Sequence, residues 1–204
     1  MTEGFVVDAP IPPTPFDPRF TLEQAAARLL ARTPLEEHPP EGVRRAAVLM
    51  LLRDGPSGLE VFLTRRSQEV SDHKGQVSLP GGAAEPEDAD SAATALREAA
   101  EEVGLDPARV RMLGRLDDYV TMTGFHIVPW AAAVDDFEGL AARTREIDEV
   151  FTFPLAYLAD ERHVLRMPWK RLGSPEDVLF VPYGDQLLWG VTARILYRLL
   201  EILS

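Results

Sequence analysis

The stretch Leu79-Pro-Gly-Gly-Ala-Ala-Glu-Pro-Glu-Asp-Ala-Asp-Ser-Ala-Ala-Thr-Ala-Leu-Arg-Glu-Ala-Ala-Glu-Glu-Val-Gly-Leu105 decides how this chain is read. Asp90–Val103 carries apolar residues at helical spacing. Ala92, Ala95, Leu96, Ala99 and Val103 share one face at about 3.6 residues per turn. Gly104 stands where a glycine ends a helix. Glu98, Glu101 and Glu102 lie beside the apolar face at i, i+3 and i+4, so they neighbour one another. Like charges at that spacing weaken a helix by about 0.2–0.5 kcal/mol per pair. A hard divalent cation such as Mg²⁺ relieves the repulsion, because it prefers carboxylate oxygens and substrate phosphates. The preceding loop ends in Gly81 and Gly82, which let backbone approach a ligand or an ion closely.

Outward from this stretch, the pattern is of strands with few helices. Arg45–Arg53 encloses the continuous apolar run Ala46–Leu52, Gly55-Pro56-Ser57-Gly58 is a turn, and Leu59–Arg65 alternates. These predict a hairpin with one strand buried on both faces. Gly75–Gly82 reads as a loop. Val110–Leu116 and His126–Val134 predict two more strands, and His163–Met167 and Val178–Val181 two short ones. Phe151–Leu158, which holds Pro154, predicts a short helix or turn. Gln186–Leu203 predicts one long helix with an apolar face. Near the start, Leu22–Ala31 has helical spacing with Thr21 placed to cap it. Residues 1–20 form a proline-rich arm, and His38–Gly42 reads as a linker. The order implies a mixed α/β layered fold and one domain over 1–204, with arm and helix in 1–43 and the core in 44–204.

Composition narrows the function. The chain has 204 residues, 46% of them hydrophobic and 26% charged, with a net charge of −12 and no cysteine. The balance is that of an ordinary globular domain. Without cysteine there are no thiolate zinc sites, disulfides or cysteine nucleophiles within this sequence. The acid excess argues against nucleic acid as a partner. The longest apolar run is far short of the roughly 20 residues of a membrane span, and the N-terminus has no signal-peptide pattern. A cytoplasmic location and no membrane partner are therefore expected.

Three glutamates on a helix most often mean a solvated face. Here seven positions, Gly81, Gly82, Arg97, Glu98, Glu101, Glu102 and Gly104, match one pattern. At about 6% per residue type, one register matches by chance roughly once in 10⁹ trials. The stretch resembles the Nudix box: Gly, five residues, Glu, seven residues, then Arg-Glu-apolar-any-Glu-Glu-any-Gly-apolar. Gly82 opens it and Arg97–Leu105 closes it. The central glutamate is Asp88 here, eight residues rather than seven before Arg97, and the sequence assigns Asp88 no role. The longer spacing resembles the branch of the family that cleaves coenzyme A. That branch carries an upstream Leu-Leu-Thr-any-Arg-Ser, a spacer Arg, a Gly and Phe-Pro-Gly-Gly. Phe62-Leu63-Thr64-Arg65-Arg66-Ser67, Gly75 and Leu79-Pro80-Gly81-Gly82 follow it, with Ser71 at the spacer arginine and Leu79 at the phenylalanine. Trp189–Arg194 also resembles the branch. The four-cysteine module and Ser-Gln-Pro-Trp-Pro-Phe-Pro segment of the NADH-cleaving branch, and the proline beyond the box in the ADP-ribose branch, have no counterpart.

The resemblance implies an α/β/α sandwich with a mixed curved sheet and a catalytic loop-helix-loop. It implies metal-dependent hydrolysis of a diphosphate, for coenzyme A yielding 4′-phosphopantetheine and 3′,5′-ADP. Glu98, Glu101, Glu102 and the Gly81 carbonyl are the implied ligands of Mg²⁺ or Mn²⁺. Arg97 is expected to orient the carboxylates. The general base is left among Glu98, Glu101, Glu146 and Glu149. With Ser71 in place of an arginine, substrate binding falls to Arg65, Arg66, Lys74 and Gly82. Arg65 and Arg66 are adjacent, so in a regular strand only one of them faces the ligand. The alternatives are another nucleoside diphosphate derivative such as ADP-ribose, or a catalytically silent binding module. The expected partner is a small nucleotide, with a homodimer also considered.

Overall fold

The computed structural model describes residues 17, 19–36, 42–69, 74–121, 123–168 and 177–204. Most of the proline-rich arm, Pro39 and Pro40 of the linker, Ser71 and His73 lie outside the described residues. The centre is a mixed sheet of eight strands. Strand β1 (Arg44–Gly55) runs parallel to β7 (Phe125–Ala133) and antiparallel to β2 (Gly58–Arg66). Gly55 pairs with Gly58, so Pro56-Ser57 is the hairpin loop that the sequence announced. Strand β2 also pairs with β3 (Val77–Ser78) and with β8 (Ile147–Pro154). Strands β5 (Arg111–Arg115) and β6 (Tyr119–Val120) lie antiparallel on β7.

The sheet divides along β1. The second half of β1 holds β2, while its first half holds β4 (Gly81–Ala83), with Val48 in register with Gly81 and Ala47 with Gly82. Residues 75–82, expected as loop, thus include β3 and the start of β4. The expectation fails because two- and three-residue strands leave no periodicity to detect.

Both sheet faces are covered, which is why the middle of β1, Ala46–Leu52, is a continuous apolar run. On one face Ala47, Leu49 and Leu51 meet Ala95, Ala99 and Val103 of helix α2 (Ser91–Val103). On the other, Met50, Leu52, Val61 and Leu63 meet α1 (Leu22–Leu30), α3 (Leu155–Ala159) and α4 (Gly190–Leu203). This is a three-layer α/β/α sandwich. Thr21 caps α1, its Oγ1 accepting from Gln24 N–H. A second sheet packs at the same side: β9 (Leu165–Met167), β10 (Val178–Tyr183) and β11 (Gln186–Trp189). Among the described residues no helix is long and apolar enough to cross a membrane.

Three sequence expectations are corrected here. Gln186–Trp189 is strand, not the first turn of the terminal helix. Leu187 and Leu188 suit either period, and Gly190 with φ 61° separates strand from helix. Phe151–Pro154 belongs to β8 and only the residues after Pro154 are helical. His163 ends a short 3₁₀ turn, so β9 begins at Leu165.

Candidate functional site

Helix α2 delivers the acidic residues. Asp90 starts it, its carboxylate accepting from Ala93 N–H, and Gly104 stops it at φ 73°, its N–H donating to the Ala99 and Ala100 carbonyls. Trp130 of β7 donates from Nε1 to Ser91 Oγ at 3.0 Å, fixing the first turn to the sheet. Ala95 and Ala99 are fully buried, and their small side chains seat the helix close to β1.

That seating brings two carboxylates onto β4. Glu102 accepts from the Gly81 N–H at 3.0 Å. Glu98 lies against Gly82 so closely that a Cβ there would stand 2.6 Å from its carboxyl carbon. Gly81 is needed for a different reason. Its φ is +152°, and a Cβ would fall 2.3 Å from the Ala47 carbonyl oxygen across the strand pair. The Gly-Gly pair therefore lets β4 pass between β1 and the helix carboxylates.

Arg97 and Asp88 form a clamp beside them. The Arg97 guanidinium donates from Nε to Asp88 Oδ1 at 3.0 Å and from Nη2 to Asp88 Oδ2 at 3.1 Å. The same side chain donates to Glu98 Oε1 at 3.1 Å, to Glu101 Oε1 at 3.4 Å and to the Ala83 carbonyl at 2.9 Å. Asp88 also accepts from Glu85 N–H and Thr94 Oγ1. Hydrogen bonding to Arg97 holds the Asp88 carboxyl well below the usual carboxylate range, and Asp88 raises Arg97 in return. Asp88, to which the sequence assigned no role, thus positions Arg97. The available signal was an acidic residue in the loop ahead of the helix, displaced by one from the usual spacing.

The glutamates differ in environment. Burial pushes the Glu102 carboxyl up to about 7. The Gly81 N–H and Arg66 oppose the shift, and Glu98 and Glu146 add to it. Burial also raises Glu98, while the Arg97 charge and hydrogen bond lower it. Glu101 is the exposed member.

The end of β2 carries the basic residues. The β2–β8 register shifts between Arg65 and Arg66, so their partners are not those of a regular strand. Arg66 bonds Glu146 at 3.0 Å, and its charge acts on Glu102. Its Nε is buried and has no hydrogen-bond partner among the described residues. Arg65 bonds Glu149 at 2.8 Å and lies 3.6 Å from Asp185 at the β10–β11 turn. Gln186 Nε2 also donates to Glu149, at 3.0 Å. So Arg66 and Glu146 stand with the box carboxylates, and Arg65 and Glu149 form a second pair under that turn. The acidic run Glu146–Glu149 is largely strand rather than a solvated helix start. Lys74 sits exposed at a turn. The upstream Thr64 and Ser67 are buried and structural. Thr64 Oγ1 is 2.9 Å from Ser78 Oγ, and Ser67 Oγ accepts from Glu69 N–H.

The donor set suits a hard divalent ion: carboxylates of Glu98, Glu101 and Glu102 with the Gly81 carbonyl, all oxygen. Two of the carboxylates are pushed toward the neutral form by burial, the opposite of what a cation does. Among the described residues, no three His, Asp or Glu side chains converge closely enough to hold an ion as they stand. Arg97 and the Gly81 N–H engage them instead.

The sequence matches the family profile described as NUDIX domain over residues 43–169, more than half its length. The chain belongs to the Nudix hydrolase family. It is 38% identical over 164 residues to Nudix hydrolase 22, chloroplastic, of Arabidopsis thaliana, covering 76% of this chain and 54% of that protein. It therefore spans about half the length of that relative. To NudL of Pectobacterium atrosepticum, called an uncharacterized Nudix hydrolase, it is 33% identical over 195 residues, covering 93% of this chain and 96% of that one. Among solved structures, the Ap4A hydrolase of C. elegans as a binary complex aligns with a TM-score of 0.46 at 19% identity, over 55% of this chain and 81% of that one. Within the Nudix pattern, Glu98, Glu101, Glu102 and Arg97 stand on α2, and Gly82 opens the box on β4.

Proposed function

We propose that this chain is a divalent-metal-dependent Nudix hydrolase of coenzyme A, yielding 4′-phosphopantetheine and 3′,5′-ADP. The observation that carries this reading is the seating of Glu98 and Glu102 on the Gly81–Gly82 strand, beside the Arg66 guanidinium. Two partly buried carboxylates with a guanidinium beside them suit a metal–diphosphate pair better than either partner alone. Glu98, Glu101, Glu102 and the Gly81 carbonyl would hold Mg²⁺ or Mn²⁺. Such an ion neutralises diphosphate oxygens and polarises the phosphorus under attack.

The remaining work falls to the chain itself. Arg97, fixed by Asp88, holds Glu98 and Glu101 in place. Arg66, whose charge acts on Glu102, is the cation placed to meet a non-bridging phosphate oxygen. A carboxylate takes a proton from the attacking water, and Glu146 and Glu149 are the two candidates outside the helix. Glu146 acts on Glu102, while Glu149 is engaged by Arg65 and Gln186. The coenzyme A assignment rests on the Phe62–Ser67 and Leu79–Gly82 segments and the box spacing. A soluble, cytoplasmic enzyme acting on a small nucleotide completes the reading.

The test is a panel of coenzyme A, ADP-ribose, NADH and a diadenosine polyphosphate with Mg²⁺ or Mn²⁺, products identified by mass. Phosphopantetheine and 3′,5′-ADP should dominate. Preferential cleavage of ADP-ribose would replace the coenzyme A assignment. Binding without turnover of any of the four would point to a silent module.

A further inference from the structure

Helix α2 buries one hydroxyl, that of Thr94, which is 1% exposed. Thr94 stands at i with Arg97 at i+3, Glu98 at i+4 and Glu101 at i+7, at the N-terminal end of the stripe that carries the site. A threonine inside a helix commonly returns its hydroxyl to the carbonyl four residues back. That carbonyl, of Asp90, lies 3.3 Å from Thr94 Oγ1. Asp88 Oδ2 lies closer, at 2.9 Å. The hydroxyl has one hydrogen to give, and Asp88, held ionised by Arg97, can only accept. The shorter, charge-assisted contact takes that hydrogen. Asp88 needs such an anchor. It is a loop residue, and Arg97 cannot fix it, since Arg97 is the group that Asp88 is there to hold. Apart from Arg97, Asp88 accepts from the Glu85 N–H of its own loop, at 2.9 Å, and from Thr94. Thr94 is the one of these two that belongs to α2.

We propose that Thr94 is a positioning residue for the reaction, setting Asp88, and through it Arg97, in the frame of the helix that carries Glu98 and Glu101. A free arginine side chain samples many rotamers. Here the guanidinium reaches Glu98 Oε1 at 3.1 Å and Glu101 Oε1 at 3.4 Å while its other edge is held by Asp88. Thr94 is short and β-branched, so it is stiff where arginine is not. Its hydroxyl ties the loop carboxylate to the backbone that also carries the two glutamates. The loop and the helix then keep one spacing, and the acid that stands eight residues before Arg97 meets the guanidinium squarely. The inference rests on the hydrolase reading only in taking Glu98 and Glu101 as working carboxylates. It does not depend on which diphosphate is cleaved.

Thr94→Val keeps the β-branched shape and removes the donor. Its kcat should fall about 3–10-fold on whichever diphosphate of the panel the parent cleaves, with KM and the circular dichroism spectrum unchanged. Thr94→Ser, which keeps the hydroxyl, should recover most of that loss. A double-mutant cycle decides the route. In an Asp88→Ala background, Thr94→Val should lower kcat no further, because the residue it acts through is gone. The Tm increment given by Mn²⁺ reads the same cycle without turnover. It should be smaller in Thr94→Val than in the parent, and equal in Asp88→Ala with and without the valine. Equal losses in the valine and serine variants, or an additive cycle, overturn the inference and leave Thr94 a role in packing alone. A valine variant with the parent's kcat and Mn²⁺ increment overturns it as well. Cleavage of ADP-ribose instead of coenzyme A would replace the substrate assignment, and the cycle is then read on ADP-ribose. If none of the four substrates is cleaved, the Mn²⁺ cycle decides.

Discussion

Replacing Glu102 with Gln should stabilise the metal-free protein while abolishing turnover. In the folded chain the carboxyl holds its proton up to about pH 7, against 4.5 ordinarily. The folded state then binds more protons than the unfolded state between those values. Stability from this group is fully present below pH 4.5 and is lost as pH rises through 7. The full shift corresponds to about 3 kcal/mol, at about 1.4 kcal/mol per unit. Relaxation of the carboxylate toward water should leave about half of that. Gln keeps an oxygen for the Gly81 N–H and never ionises. In EDTA at pH 8 the variant should therefore be more stable by about 1–2 kcal/mol, a Tm gain of about 3–6 °C for a chain of this size. Near pH 4.5 the gain should vanish. Urea or thermal unfolding at the two pH values, followed by circular dichroism, measures both. A variant no more stable than the parent at pH 8, or equally stabilised at both pH values, would refute the placement of Glu102 in a desolvated site.

Mn²⁺ should raise the Tm of the parent, and the increment should grow between pH 5.5 and 7.5 as Glu102 gives up its proton; a pH-independent increment in thermal scans would remove Glu102 from the ligand set. Asp88→Ala should lower kcat about 10–100-fold with the fold intact, because it frees the guanidinium that holds Glu98 and Glu101; parent-like kinetics would show the clamp to be idle. Gly82→Ala should cost activity more than stability, since its Cβ meets the movable Glu98 carboxylate. Gly81→Ala should cost about 2–4 kcal/mol of stability, since its Cβ meets fixed backbone; paired kcat and Tm measurements separate the two. Between Glu146→Gln and Glu149→Gln, the one that removes the base should lower kcat by about 10² or more and flatten the acid limb of the pH profile; equal, small effects would return the role to α2.

Helix α2 was legible because its signals are local. Asp90, the apolar period and Gly104 all act within one turn of where they stand. The β1–β2 hairpin was legible for the same reason, through Pro56-Ser57 between two glycines. What sequence reading missed depends on partners far along the chain. Strand β8 is a strand because β2 holds it, and its acidic start and terminal proline suggest otherwise in isolation. Strand β11 exists because β10 pairs with it, whereas Leu187 and Leu188 alone continue the apolar face of α4. The partition of Arg65 and Arg66 needed the register shift against β8. The role of Asp88 needed the path of the loop that returns it to Arg97.

The Asp88–Arg97 clamp also sets what a pH titration of this chain can report. Its acid stays ionised far below the range in which carboxylates titrate, and its base far above neutrality. Through the range in which ordinary carboxylates titrate the clamp keeps its charges, a fixed frame of reference for the groups around it. Glu98 and Glu102 then titrate against a constant background. A change of rate with pH reads those two carboxylates and the general base, without a moving contribution from the groups that hold them in place.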